Sequence, residues 1–544
     1  MFSRICNLKY VALQLRQGKL KGLERTLRDG TSFFSFKGIP YARPAVGKLR
    51  FKAPLPPETW QGTLNAFEHG PICPQVELYG WQCSPKNEDC LFINVYTKTL
   101  ERNAKLPVMV YIHGGAYFYG SGNDDIHGPE FLLQHDVTLV TFNYRLEALG
   151  FLCLDTPDIP GNAGMKDQVA ALRWVQNNIE KFGGDRNNVT IFGESAGGTS
   201  VTYHLLSSMT SGLFHKAIAQ SGVCISDWAQ SKDGKARAIR AAKALGIHTD
   251  DVRKLTDRFQ NVPVDNLVKI TFKSMTEDEK YRGFPSHFVP VVEKEFENTD
   301  TFLTKEPLEL LLSGQIAKVP LLAGYNSAEG LIVTDYEFRR LKFMNDNLSF
   351  YLPREIANHV SKEKLIDFGY RIQTFYAGDR VMSESNIDAV MNLHSDLYFV
   401  YNYHRFMQYY SNYSDSIYSY RFDCITDLNI HKKFIGFNNY KGASHIDEIF
   451  YLFNNEINKC PYEEQERLRE IVFMITKLWT DFAKTGNPTP DNCQDFTWQP
   501  YTHIGKEYLR LNENPSMDTF ADMKRVKFWN SLYKEAGLPH RSMC

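Results

Sequence analysis

Apolar residues recur along this chain with two periods, and the points where one gives way to the other outline layered strands and helices. Short runs rich in β-branched and aromatic residues, LPVMVYIHGG (106–115), VTLVTFNYR (137–145) and NVTIFG (188–193), have the length and composition of buried strands. Between the second and third lies AGMKDQVAALRWVQNNIEKFGG. There Met165, Val169, Leu172, Val175, Ile179 and Phe182 fall at helical spacing, and Gly183 and Gly184 stop the helix. Leu468, Ile471, Ile475, Leu478 and Phe482 make a similar stripe, closed by TGNP at 485–488. Strands alternating with helices predict an α/β fold. Residues from roughly 230 to 400 are more helical, charged and irregular and read as a cap or lid-like insertion. The 544 residues are therefore expected to form a single domain spanning 1–544, although length alone suggests about three or four.

Composition narrows the classes without choosing one. An apolar content of 43%, a charged content of 23% and a formal net charge of −1 suit a globular protein. Nothing in that balance favours nucleic acid or an anionic membrane surface. No run reaches the ~18 apolar residues of a membrane span. The opening MFSRICNLKYVALQLRQGKLKG lacks the apolar core and cleavage site of a secretory leader. The chain is therefore expected in the cytoplasm or peripherally on an intracellular membrane, and outside the cell only if a leader has been removed. Aromatic residues make up 13% of the chain. Core packing accounts for most of them, and a lined gorge is the alternative for the rest. Ten cysteines are present. Cys73, Cys83 and Cys90 cluster closely enough for one disulfide, and no pair has zinc-site spacing. A bridge between Cys73 and Cys90 would contribute about 3 kcal/mol through chain entropy. Asn188, Asn347 and Asn412 begin N-x-S/T triplets, which matter only along a secretory route.

The stretch IFGESAGGTS (191–200) carries the candidate chemistry. A strand leads into Ser195 and a helical pattern leads out, with Gly193 and Gly197 flanking it, as a nucleophile elbow requires. An idle serine at a glycine-rich helix start is the competing reading, which the strand-turn-helix context weakens. The helix N-terminus favours developing negative charge. Further backbone donors for an oxyanion come from a second glycine-rich turn, YIHGGAYFYG (111–120). Gly115 and Ala116 are the candidates there, with Ala196 after the serine. A serine hydroxyl needs a base, and the base needs an acid to orient it. Eleven histidines follow Ser195, so order alone selects none. His445, in NNYKGASHIDEIFYLF, sits in loop context, whereas His204 and His215 lie in apolar patterns. Glu329, in KVPLLAGYNSAEG, follows a strand and precedes a glycine, but many acids remain open on composition.

These motifs together resemble the carboxylesterase/cholinesterase (type-B carboxylesterase) family of α/β-hydrolases, closest to the insect α-esterases. The resemblance spans nearly the whole chain. It rests on FKGIPYARPAVGKLRF (36–51), NEDCLFINVY (87–96), YIHGGAYFYG, NYRLEALGFL (143–152), FGESAGG, QSG (220–222), NSAEG (326–330), GASHIDEI (442–449), FAKTGNP (482–488) and FW (528–529). It implies a central, mostly parallel twisted sheet flanked by helices, with large helical insertions forming a gorge or lid. It also implies Ser195 as nucleophile, Glu329 as acid, His445 as base, and Gly115, Ala116 and Ala196 as the oxyanion hole. Trp228 matches a tryptophan of the acyl pocket, an ordinary core tryptophan being the alternative. Glu88 and Arg145 match a buried ion pair. Glu194 reads as a simple elbow residue in preference to a modulator of His445. Departures from the family pattern are Asp227 for a small residue or proline, Ala116 for a third glycine, and Glu147 for glycine. Trp81 lies out of register with the cation-stacking tryptophan of cholinesterases, which weighs against choline esters.

The expected function is a serine carboxylesterase acting on small-molecule aliphatic or xenobiotic esters through an acyl-enzyme, with no cofactor and no metal. His445 is expected to titrate near ~6.5 unless its surroundings shift it. Two alternatives stand beside this: stoichiometric capture of lipophilic esters or organophosphates with slow turnover, and a non-catalytic interaction protein of the same fold. Oligomeric state has no sequence signal.

Overall fold

The β-branched runs become the middle of one large sheet. A computed structural model of the chain describes residues 9–77, 84–490 and 496–540. Its strands are β1 (Lys9–Gln14), β2 (Lys19–Thr26), β3 (Ser32–Pro40), β4 (Thr63–Asn65), β5 (Phe92–Thr97), β6 (Leu106–Ile112), β7 (Thr138–Phe142), β8 (Gly184–Glu194), β9 (Lys216–Gln220), β10 (Leu321–Asn326), β11 (Ile417–Phe422), β12 (Glu507–Leu511) and β13 (Ser516–Thr519). They lie in the order β1-β2-β3-β5-β7-β6-β8-β9-β10-β11-β12-β13, with β4 beside β2. Every pairing from β7 through β6 and β8 to β12 is parallel, while β1, β2, β3, β5 and β13 add antiparallel edges.

Parallel strands need helical crossovers, so both faces of the middle of the sheet are covered and its strands are apolar on both sides. Val108, Val110, Val189 and Ile191 pack with Met165, Val169 and Leu172 of the helix Ala163–Asn178 on one face. Met109, Tyr111, Phe192 and Ile218 pack with Leu468, Ile475 and Trp479 of the helix Glu466–Thr485 on the other. Both helices are those the apolar stripes predict. Short helices at 234–244, 252–261, 264–268, 271–274 and 277–281 join β9 to β10, and longer ones join β10 to β11. The interval read as a cap thus also contains β10, a fully buried strand in the middle of the sheet.

Cys73 and Cys90 form a disulfide with Cα atoms 4.9 Å apart. Cys83 and Trp81 fall outside the described residues. Glu88 and Arg145 do not pair with each other, contrary to the resemblance. Glu88 takes the Arg50 guanidinium, with Arg50 Nε 2.7 Å from Oε2. Arg145 instead makes a forked contact with Asp167, at 2.7 Å through Nε and 2.6 Å through Nη2. Planar guanidinium geometry favours whichever carboxylate meets it fork to fork, and Asp167 projects from the helix that packs beside Arg145. Among the described residues no helix is long and apolar enough to cross a membrane.

Candidate active site

Strand β8 ends at Glu194 and a helix runs from Ala196 to Leu206, so Ser195 must turn the chain alone. It does so at φ 58°, ψ −120°, a conformation that costs a non-glycine residue roughly 1–3 kcal/mol. Hydrogen bonds hold it there: Ser195 N–H donates to Gln220 O at 2.8 Å, and its carbonyl accepts from Thr199 N–H at 2.8 Å. Glycine at 197 is a steric necessity, since a Cβ there would lie 2.0 Å from Ile112 O.

The second glycine turn follows β6. Gly115, Ala116 and Tyr117 have φ of 101°, 51° and 66°, three successive residues in the left-handed region. A Cβ on Gly115 would lie 2.0 Å from Tyr119 O. This winding leaves the N–H groups of Gly115 and Ala116 without a hydrogen-bond acceptor among the described residues. Ala196, as the first residue of its helix, adds an N–H of the kind helix geometry leaves unpaired. His113, which opens the turn, is a packing residue. Its ring stacks on Tyr144 at 4.3 Å, and burial lowers its pKa to about 4, against the opposing hydrogen bond with Gly114 O.

Glu329 opens the turn after β10, and His445 lies in the loop beyond β11. The two loops are tied by backbone: Ala328 N–H donates to Ala443 O at 2.8 Å. That contact brings His445 Nδ1 to 2.5 Å from Glu329 Oε2. The other oxygen of Glu329 accepts from Asn326 N–H and from Ser221 Oγ, each at 2.6 Å. The acid is therefore fixed on both sides, and His445 is 1% exposed.

Glu194 corrects the sequence reading. Its Oε1 lies 3.0 Å from His445 Nε2, so the residue before the serine contacts the imidazole directly. Burial on its own would lower the His445 pKa, but the Glu194 and Glu329 carboxylates outweigh it and hold the imidazole well above its usual 6.5. A third carboxyl, Glu448, accepts hydrogen bonds from Asn326 Nδ2 and, at 3.3 Å, from Gln220 Nε2. Burial, reinforced by Glu194 and Glu329, pushes Glu448 up to about 8.

Ser195, His445 and Ala116 line one cavity of about 610 Å³. Its walls are aromatic. Trp228 donates through Nε1 to Tyr398 O at 2.8 Å and meets Phe284 and Phe399 edge-on. Phe399 also lies 4.4 Å from the His445 ring. It sits in a π-helical turn, Asp396–Val400, whose extra residue re-aims the side chains that follow. A larger cavity, about 1100 Å³, is lined by charged pairs and contains neither Ser195 nor His445. Asp227 faces that cavity and bonds Arg354 at 2.9 Å, which accounts for an acid beside Trp228. Sequence reasoning missed Phe284, Phe399 and Glu448. A π-turn leaves no periodic signature, and an aromatic in a helical pattern reads as core.

A model of the carboxylesterase family matches residues 9–529. The chain is 33% identical over 542 residues to a carboxylic ester hydrolase of Bombus ignitus, covering 95% of this chain and 93% of that protein. It is 34% identical over 519 residues to a juvenile hormone esterase of Tribolium castaneum, covering 89% and 84%. Among solved structures, juvenile hormone esterase from Manduca sexta with OTFP covalently attached superposes with a TM-score of 0.87 at 28% identity, over 97% of this chain and all of that one. With the parallel sheet and the elbow at the end of β8, these likenesses settle the assignment: the chain belongs to the carboxylesterase family and is a carboxylic-ester hydrolase with the α/β-hydrolase fold.

Proposed function

We propose that the protein hydrolyses neutral, lipophilic carboxylic esters, with Ser195 as nucleophile, His445 as general base and acid, and Glu329 as the orienting carboxylate. What carries this reading is the shared, largely aromatic cavity onto which both Ser195 and His445 open. Neutral His445 takes the Ser195 proton as Oγ attacks the ester carbonyl. The N–H groups of Gly115, Ala116 and Ala196 receive the oxyanion, each contributing about 3 kcal/mol in the transition state. Protonated His445 then gives its proton to the departing alkoxide. Water repeats the sequence on the acyl-enzyme, releasing the acid. Glu329 holds Nδ1, which leaves Nε2 as the nitrogen that takes the serine proton in this reading. Trp228 and Phe399 form the wall against which the acyl chain packs.

One contact favours a second reading, single-turnover capture. Glu194 lies against Nε2, the nitrogen that must take the serine proton, and an imidazolium held there would slow deacylation. One experiment addresses both: p-nitrophenyl esters from acetate to octanoate, followed with purified protein and a Ser195→Ala control. Sustained release absent from the control supports hydrolysis, and one equivalent released as a burst supports capture. Release that persists in the control defeats both. Juvenile hormone, after which the Tribolium and Manduca relatives are named, belongs in the same panel.

A further inference from the structure

Glu147 breaks two local rules at once. Its backbone lies at φ 53°, in the left-handed region that long side chains avoid, and the residue is 3% exposed. Burial raises its carboxyl to about 8 against the opposing hydrogen bond from Thr271, so at neutral pH it is an uncharged acid. Glycine or asparagine would occupy this backbone with less strain. Neither side chain has the reach of Glu147, whose Oε2 accepts a hydrogen bond from Thr271 Oγ1, 124 residues further along the chain.

The two ends of this residue touch different machinery. Glu147 N–H donates to Tyr117 O at 2.8 Å, and Tyr117 is the last residue of the left-handed turn containing Gly115 and Ala116. Thr271 begins the short helix Thr271–Ser274, whose next residue, Phe272, lines the cavity and is 53% exposed. The other side-chain bonds of this segment stay within the cap: Ser274 Oγ donates to Ile270 O at 3.1 Å and lies 3.0 Å from His287 Nε2.

We propose that Glu147 is a positioning residue that latches the segment 264–274 to the glycine turn and thereby fixes Phe272 at the cavity mouth as a determinant of acyl length. An ester long enough to reach the mouth packs on a fixed ring when the latch is closed and on a mobile one when it is open. The consequence for acyl length rests on Ser195 hydrolysis as proposed above, and the latch itself does not.

The test uses full-length Glu147→Gly and Glu147→Gln. Glycine removes the latch and accepts φ 53° without strain, and glutamine keeps an acceptor oxygen at the same reach. Hydrogen exchange of peptides covering 264–274 reads the latch with no ester present. Faster exchange in Glu147→Gly, near-native exchange in Glu147→Gln and cooperative melting of both are expected. The ratio of kcat/KM for the octanoate over the acetate ester should fall about two- to tenfold in Glu147→Gly, the worth of one hydrogen bond, and recover in Glu147→Gln. Unchanged exchange over 264–274 overturns the latch, as does loss of cooperative folding in Glu147→Gly, which would make Glu147 a core residue. Faster exchange with an unchanged ratio overturns the role in acyl length. If no Ser195-dependent release is seen at all, the hydrolytic reading fails and exchange still decides the latch.

Discussion

Replacing Glu194 by Gln removes one negative charge 3.0 Å from His445 Nε2 and changes little else in shape. Two unit charges at that separation attract by about 5 kcal/mol at an effective dielectric near 20, which sets a ceiling of about four pH units on what Glu194 does to the imidazole. Glu194 is itself buried, which raises its own pKa and takes back part of that attraction. What remains is in the range of about 1–3 pH units usual for a close opposite charge. The direction follows from the chemistry. In the wild type the carboxylates hold His445 protonated to higher pH, so the acid limb of kcat/KM should have its midpoint above 6.5. Glu194→Gln should move that limb toward acid by about 1–3 pH units, leaving more neutral base at pH 6. The assay is kcat/KM for p-nitrophenyl acetate from pH 5 to 9, which reports the free enzyme. A limb that stays in place, or moves to higher pH, would refute the claim that Glu194 acts on the imidazole through charge. The same linkage has a stability side: the His445 ion pairs stabilise the fold fully below about 6.5 and less as pH rises through the elevated folded-state pKa.

Trp228→Ala should shift the preferred p-nitrophenyl ester toward longer acyl chains. Each added methylene the cavity can bury is worth about 0.8 kcal/mol, or roughly fourfold in kcat/KM, and an unchanged optimum would place the acyl wall elsewhere. Asp167→Ala should destabilise the fold by about 3–5 kcal/mol, because it leaves Arg145, buried on every side, without its carboxylate. The more exposed Glu88→Ala, beside Arg50, should cost less. Urea titration with both variants checks the order, and equal losses would contradict it.

The sheet was legible because its middle strands are buried on both faces, so the runs at 106–115, 137–145 and 188–193 are dominated by apolar and β-branched residues and do not alternate apolar with charged positions. Ser195 was legible for a local reason too: strand, sharp turn and helix are contiguous in sequence, and sterics restrict the flanking positions to glycine. Glu329 and His445 had a weaker local mark, a loop context and a strand end that other residues share. Their setting comes from Ser221, Asn326 and Ala443, which lie far from at least one of them in the chain; loop context made them candidates, and the family resemblance was needed to favour them over the other acids and histidines. Arg145 shows the opposite failure. Its burial was anticipated, but the choice between Glu88 and Asp167 depends on which carboxylate meets the guanidinium fork to fork. Glu194 was undervalued for a similar reason: a strand-end side chain carries no sequence sign of the ring it will face.

The joining of the Ala328 and Ala443 loops has a consequence for how the chain acquires activity. Glu329 and His445 are 116 residues apart, and their pairing depends on loops beyond two neighbouring parallel strands, β10 and β11. Such non-local contacts repay their closure entropy only late in folding. Refolding followed by far-ultraviolet dichroism should therefore run ahead of recovered hydrolysis, and a partly folded chain would display its serine elbow before it owns a base.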